Sequence, residues 1–146
     1  MIKTSIKEHI DVANTTLNLC SKIEEVAELC LKALNRGNKI IFAGNGGSAA
    51  DSQHIAAELI GRYEKERASL PAIALTTDTS AITAIGNDYG FDKIFSRQIK
   101  GIGESGDVFI AISTSGNSEN IVQEIKISKK KNIRNILISG NKGGRC

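Results

Sequence analysis

The stretch KIIFAGNGGSAADSQHIAAELIGR, residues 39–62, joins an apolar run, a glycine-rich turn and a segment with helical spacing. KIIFAG (39–44) is short, apolar and bounded by glycines, which reads as a buried strand, and Gly37 supplies the stop for whatever helix precedes it. Residues 48–62 read as a helix. The unit is therefore strand, tight turn, helix, the repeating piece of a parallel sheet.

The same alternation continues downstream. PAIALT (71–76), DVFIAIS (107–113) and RNILISG (134–140) read as further strands. Residues 79–86, 92–101 and 118–131 read as helices between them. Upstream, apolar residues recur at helical spacing from Ile2 to Leu34, with the polar Asn14, Thr15 and Thr16 placed to break the run into two helices. These elements predict an α/β fold, a three-layer α-β-α sandwich around a parallel sheet with right-handed crossovers, preceded by an N-terminal helical extension.

A chain of 146 residues with 40% hydrophobic content fits one globular domain. The net charge of +3 is spread along the chain, and only 4% of residues are aromatic, with no Trp. That composition offers neither a phosphate-tracking surface nor a base-stacking platform, so nucleic acid is not the expected partner. The mixed charges of MIKTSIKEHID lack the apolar core of a secretory signal, and no run is long enough to span a bilayer, so the expectation is a soluble, cytoplasmic protein with no membrane partner. Cys20, Cys30 and Cys146 are far apart and read as reduced thiols.

Parallel sheets bind ligands outside the carboxyl ends of their strands, where GNGGS (44–48) and STSGNS (113–118) both fall. In the first loop, Gly46 and Gly47 permit backbone conformations and close approach that a side chain would forbid, the helix that follows offers free N–H groups to an anion, and Ser48 can cap that helix or donate to a ligand oxygen. GNGGSA also satisfies the loose GxGxxG/A dinucleotide pattern. Such a site wants an acidic residue about 20 positions beyond the glycines, and the nearest, Asp78, lies further away. In the second loop, hydroxyls and a glycine ahead of a helix suit the oxygens of one phosphate group. The same residues read equally as a capped turn, with Ser118 as N-cap and Glu119 in the first turn.

His54, Glu58 and Arg62 recur at every fourth position and so fall along one helical face. A histidine and a carboxylate at this spacing can hold one divalent metal or share acid/base work, with Arg62 neutralising an anionic substrate. Glu58 and Arg62 also have the spacing of an ordinary surface ion pair. In GNDYGF (86–91), Asn87 and Asp88 are either turn residues or a second polar pair at the strand ends.

Taken together, GNGGSAADSQHIAAELIGRY, LPAIALTTD, AIGNDYGFDKIFSRQ, GDVFIAISTSGNSENIV and NILISGNKGG closely resemble the sedoheptulose 7-phosphate isomerases, or phosphoheptose isomerases, of the sugar isomerase (SIS) fold. The resemblance covers nearly the whole chain in order. It implies a flavodoxin-like SIS domain over residues 1–146, with 1–36 as a helical oligomerisation segment of a cytoplasmic homotetramer. It implies conversion of sedoheptulose 7-phosphate into D-glycero-D-manno-heptose 7-phosphate through an enediol, on the route to ADP-heptose and the lipopolysaccharide core, with one zinc per subunit. By position, Asn45, Gly46 and Gly47 match the first substrate loop, and His54 and Glu58 match zinc ligands, Glu58 also touching substrate as the candidate catalytic base. Asn87 and Asp88 match a further substrate pair. Ser113, Thr114, Ser115 and Ser118 match the phosphate-holding loop, and Arg62 matches an arginine near the site.

The family continues past the GG turn into a strand and a helix whose glutamine and histidine complete the zinc site, and neither has a counterpart before Cys146. His9, the other histidine, sits on the N-terminal helix with no reason to substitute. The expectation is a truncated isomerase that binds zinc weakly and turns over slowly. The alternatives are a non-catalytic SIS protein that binds a phosphosugar or a replication initiator, and a dinucleotide enzyme. Glu58 and GNDYGF favour the isomerase.

Overall fold

The computed structural model describes residues 1–140 and 143–146. Asn141 and Lys142, within the glycine-bearing NILISGNKGG, lie outside the described residues. Strands β1 (Ile40–Gly44), β2 (Ala72–Ala74), β3 (Val108–Ser113) and β4 (Arg134–Ser139) form one sheet in the order β2-β1-β3-β4, every neighbouring pair parallel. In register, Ile40 lies between Ala72 and Val108, Phe42 between Ala74 and Ile110, and Gly44 opposite Ile112. The chain leaves β1 to one side for β2 and returns to the other for β3. That reversal opens a crevice at the carboxyl ends of β1 and β3, where GNGGS and STSGNS emerge side by side.

The period-two alternation of the strands divides the apolar residues into two cores. Ile41, Ala43, Phe109 and Ala111 pack with Ile94, Phe95 and Ile99 of α5 (Ile94–Ile102) and Ile121 and Ile125 of α6 (Glu119–Lys130), while Ile82 and Ile85 of α4 (Thr79–Tyr89) close the margin. On the other face, Ile40, Phe42, Val108 and Ile110 pack with Ala33 of α2 (Cys20–Asn35) and Ala56 of α3 (Gly47–Ile60). Phe42, Phe95 and Phe109 are fully buried; truncating one to Ala costs about 3–5 kcal/mol. At the opposite end of the sheet, buried Asp107 accepts from the Lys39 and Glu104 backbone N–H groups (3.0 and 2.8 Å) and pairs with the Lys39 ammonium at 2.8 Å.

α1 (Ile2–Thr16) ends where Asn14, Thr15 and Thr16 were expected to break the helix. The Thr15 and Thr16 hydroxyls donate back to the Asp11 and Val12 carbonyls (2.8 and 2.9 Å), and a single 3-10 turn, Leu17–Leu19, leads into α2. α1 buries none of its residues.

The helix expected over 92–101 begins as a 3-10 turn, Phe91–Lys93, ahead of α5, and three further elements depart from the sequence reading by more than a residue. The expected strand 71–76 narrows to Ala72–Ala74, and the helix expected over 48–62 ends at Ile60. Gly61 turns the chain away there, and the Arg67 guanidinium reaches back to the Glu58 and Leu59 carbonyls (2.7 and 2.8 Å), satisfying the free C-terminal end of α3. The helix expected over 79–86 instead runs to Tyr89, because Gly86 is accommodated within it, close under Ile94, and Gly90 with φ of +92° ends it.

Candidate functional site

The first loop turns on two glycines with different duties. A Cβ on Gly44 would lie 2.6 Å from the Ser48 carbonyl oxygen, so the end of β1 and the first turn of α3 can approach only through glycine. Gly46 is the N-cap of α3 with φ of +58°. Gly47 has neither feature and faces open space. The Ser48 hydroxyl makes no cap bond; it is the Ser48 carbonyl that accepts, from Ser52 (2.8 Å).

The second loop leads into α6 with Ser118 as N-cap, as expected, but its hydroxyl makes no cap bond either. It meets the buried Ser113 hydroxyl at 3.3 Å, while Ser115 Oγ accepts from the Asn117 N–H (3.2 Å). Thr114 and Ser115 are exposed. The last residues brace this loop. The Arg145 and Cys146 N–H groups donate to the Gly116 carbonyl (2.9 and 3.0 Å), and the Arg145 guanidinium donates to Glu119 Oε2 (3.0 Å) and the Asn117 carbonyl (3.2 Å).

The two loops are tied by a reciprocal amide pair. Asn45 Nδ2 donates to Asn120 Oδ1 (2.9 Å), and Asn120 Nδ2 donates to Asn45 Oδ1 (2.8 Å). Beside it lies a cavity of about 420 Å³ lined by Asn45, Gly46, Phe91, Asp92, Ser118, Glu119 and Asn120. A hydrogen bond from Lys93 holds the Asp92 carboxyl below its usual range, and hydrogen bonds from Gln123 and Arg145 do the same for Glu119. Two carboxylates kept ionised on this wall suit the hydroxyls of a polyol, while the free N–H groups and hydroxyls of the loops suit an anion.

His54 and Glu58 lie further along α3, outside that cavity, with Nε2 and Oε1 3.8 Å apart. The His54 side chain is largely exposed and that of Glu58 about one-third exposed. Arg62, expected on the same helical face, lies beyond the end of α3 and pairs with Glu66 at 3.6 Å. Asn87 and Asp88, read as turn residues or as a second polar pair, lie in the last turn of α4, where Asn87 Nδ2 donates to Asp88 Oδ1 (2.8 Å). Asp78, the acidic residue nearest to what a dinucleotide would need, spends its carboxylate capping α4 through the Ala81 N–H (2.9 Å).

Asn120, Phe91, Asp92 and Arg145 were not singled out by the sequence. Asn120 offered a faint signal, a helix-disfavouring amide in the first turn after a polar loop. Among the described residues, no group of three or more His, Cys, Asp or Glu side chains converges on a metal position. His54 and Glu58 suit zinc in kind and supply two of the four donors a tetrahedral site needs. Among the described residues no helix is long and apolar enough to cross a membrane.

A parallel sheet with two polar loops at its switch point, one glycine-bearing and one rich in hydroxyls, defines a SIS domain, and the model of that family, "SIS domain", matches residues 5–140. The chain is 57% identical over 147 residues to a phosphoheptose isomerase of Sulfurimonas denitrificans, covering 98% of this chain and 75% of the relative. To a phosphoheptose isomerase of Campylobacter concisus it is 51% identical, covering 99% of this chain and 78% of the relative. A solved phosphoheptose isomerase from Francisella tularensis superposes with a TM-score of 0.94 at 36% identity, covering 98% of this chain and 75% of that one. The chain belongs to the phosphoheptose isomerase family.

Proposed function

We propose that this protein interconverts sedoheptulose 7-phosphate and D-glycero-D-manno-heptose 7-phosphate, the aldose serving ADP-heptose synthesis for the lipopolysaccharide core. The observation that carries this reading is the placement of the hydroxyl loop 113–118 beside the GNGGS loop at the switch point, with Glu58 on the helix that GNGGS opens, in a chain 57% identical to a phosphoheptose isomerase. The hydroxyls of Ser113, Thr114, Ser115 and Ser118 and the N-terminus of α6 hold the phosphate, which supplies binding energy remote from the reacting carbons. Asn45, Gly46, Gly47 and Ser48, with Asn87 and Asp88, orient the sugar, and Arg62 adds positive charge nearby. Glu58 removes the proton from C1; the electron pair shifts to give an enediol, and a proton returned to C2 completes the aldose.

His54 and Glu58 are the residues that would hold zinc, which when bound polarises sugar oxygens and stabilises developing negative charge. The described residues provide half the donors, and the proton transfer is assigned to Glu58 itself. We place the protein in the cytoplasm as a homotetramer. In support, Ile2, Ile6 and Ile10 form an exposed stripe on α1, which has no buried residue of its own. Ile6→Glu together with Ile10→Glu should lower the solution mass in sedimentation, and an unchanged mass would count against the assembly.

The isomerisation is tested with sedoheptulose 7-phosphate and added zinc. Glu58→Gln should abolish turnover, by at least about a thousandfold, while phosphosugar binding by calorimetry is retained. Turnover undiminished in that variant would overturn the assignment.

A further inference from the structure

Asn120 is 3% exposed, although an isolated amide of this kind is ordinarily a surface group. Its Oδ1 accepts twice, from Asn45 Nδ2 (2.9 Å) and from the Ile121 N–H (3.0 Å), and its Nδ2 donates to Asn45 Oδ1 (2.8 Å). The pair has one geometric consequence. Turning the Asn45 amide over would set oxygen against oxygen and nitrogen against nitrogen, so its orientation is fixed. Asn45 keeps one N–H and one lone pair outside the pair, and both asparagines line the cavity.

We propose that Asn120 is a positioning residue for the isomerisation: it acts through Asn45, aiming the remaining N–H of that amide at a sugar oxygen and locking the GNGGS loop to the N-terminus of α6. This rests on the phosphosugar reading above. The tie spans the switch point, from the residue after β1 to the first turn after the hydroxyl loop, so one hydrogen-bonded pair sets the spacing between the sugar end and the phosphate end of the substrate. Spacing of this kind affects rate and sugar affinity more than anion affinity.

The experiment compares Asn120→Ala, Asn45→Ala, the double variant and Asn120→Asp. It uses kcat and KM for sedoheptulose 7-phosphate with zinc, calorimetric affinity for that sugar and for inorganic phosphate, and urea midpoints. Asn120→Ala should lower kcat/KM and sugar affinity by about 10- to 100-fold, with inorganic phosphate held within about twofold. The double variant should be no worse than Asn45→Ala alone. Asn120→Asp keeps the acceptor for Ile121 and for Asn45 Nδ2 but sets a carboxylate oxygen against Asn45 Oδ1, so kcat/KM should fall at least as far as in Asn120→Ala. Losses that add in the double variant, kcat/KM restored toward the wild-type value in Asn120→Asp, or an unaffected Asn120→Ala would each overturn the proposal. Failure of the wild-type protein to isomerise the sugar would instead sink the isomerase reading, and the binding series would still decide whether Asn120 acts through Asn45.

Discussion

Glu124 on α6 is fully buried, and neither carboxyl oxygen has a hydrogen-bond partner among the described residues. Burial pushes its carboxyl up from 4.5 to about 9. Its neighbours on the helix, Ile121 and Ile125, belong to the core against which Cys146 also packs, and burial likewise raises the Cys146 thiol. The folded protein therefore keeps the Glu124 proton over a range in which the unfolded chain has lost it. Its contribution to stability is fully present below about pH 4.5 and is lost progressively as pH rises to about 9. At about 1.4 kcal/mol per pH unit, moving from pH 5 to pH 8.5 removes on the order of 5 kcal/mol, comparable with the whole stability of many domains. Glu124→Gln keeps the shape and cannot ionise. Its urea midpoint should match the wild type near pH 5 and exceed it at pH 8.5 by about 2 M, taking about 2 kcal/mol per M for the slope. Wild-type and Gln midpoints that stay parallel across this range would refute the assignment of a buried, proton-holding carboxyl.

Asp107 behaves oppositely: burial raises its carboxyl, but hydrogen bonds from Lys39 and Glu104 and the Lys39 charge outweigh this and leave it lowered. Its stabilisation is present above the ordinary carboxylate range and is lost as pH falls through the lowered value, so Asp107→Ala should cost about 3 kcal/mol at pH 7 and much less in acid, read by chemical denaturation. Gly44→Ala would force the Ser48 carbonyl aside and should cost about 1–3 kcal/mol while weakening phosphosugar binding, whereas Gly47→Ala, with open space around it, should be mild by the same thermal and calorimetric measurements.

The layers were legible because the strands are continuous apolar runs: KIIFAG and DVFIAIS lie within one residue of β1 and β3. Both site loops were legible for the same reason, since a polar glycine-bearing segment directly after such a strand must sit at its carboxyl end. What could not be read was tertiary in origin. The helix read over 48–62 stops at Ile60, where Gly61 offers a local turn, but the Arg67 guanidinium that secures the end comes from beyond that turn. The helix read over 79–86 runs on past Gly86, which lies within α4 under Ile94. Asn120 is 75 positions from Asn45, so no periodicity could show that the two amides meet.

The N-terminal helix carries a consequence of a different order. A 15-residue helix with no buried side chain is marginal in water on its own. On the proposed assembly, its helicity comes from neighbouring subunits, so secondary structure and association are one equilibrium for this part of the chain. Dilution would then melt α1 while leaving the two cores intact, and the far-ultraviolet signal per residue would report protein concentration.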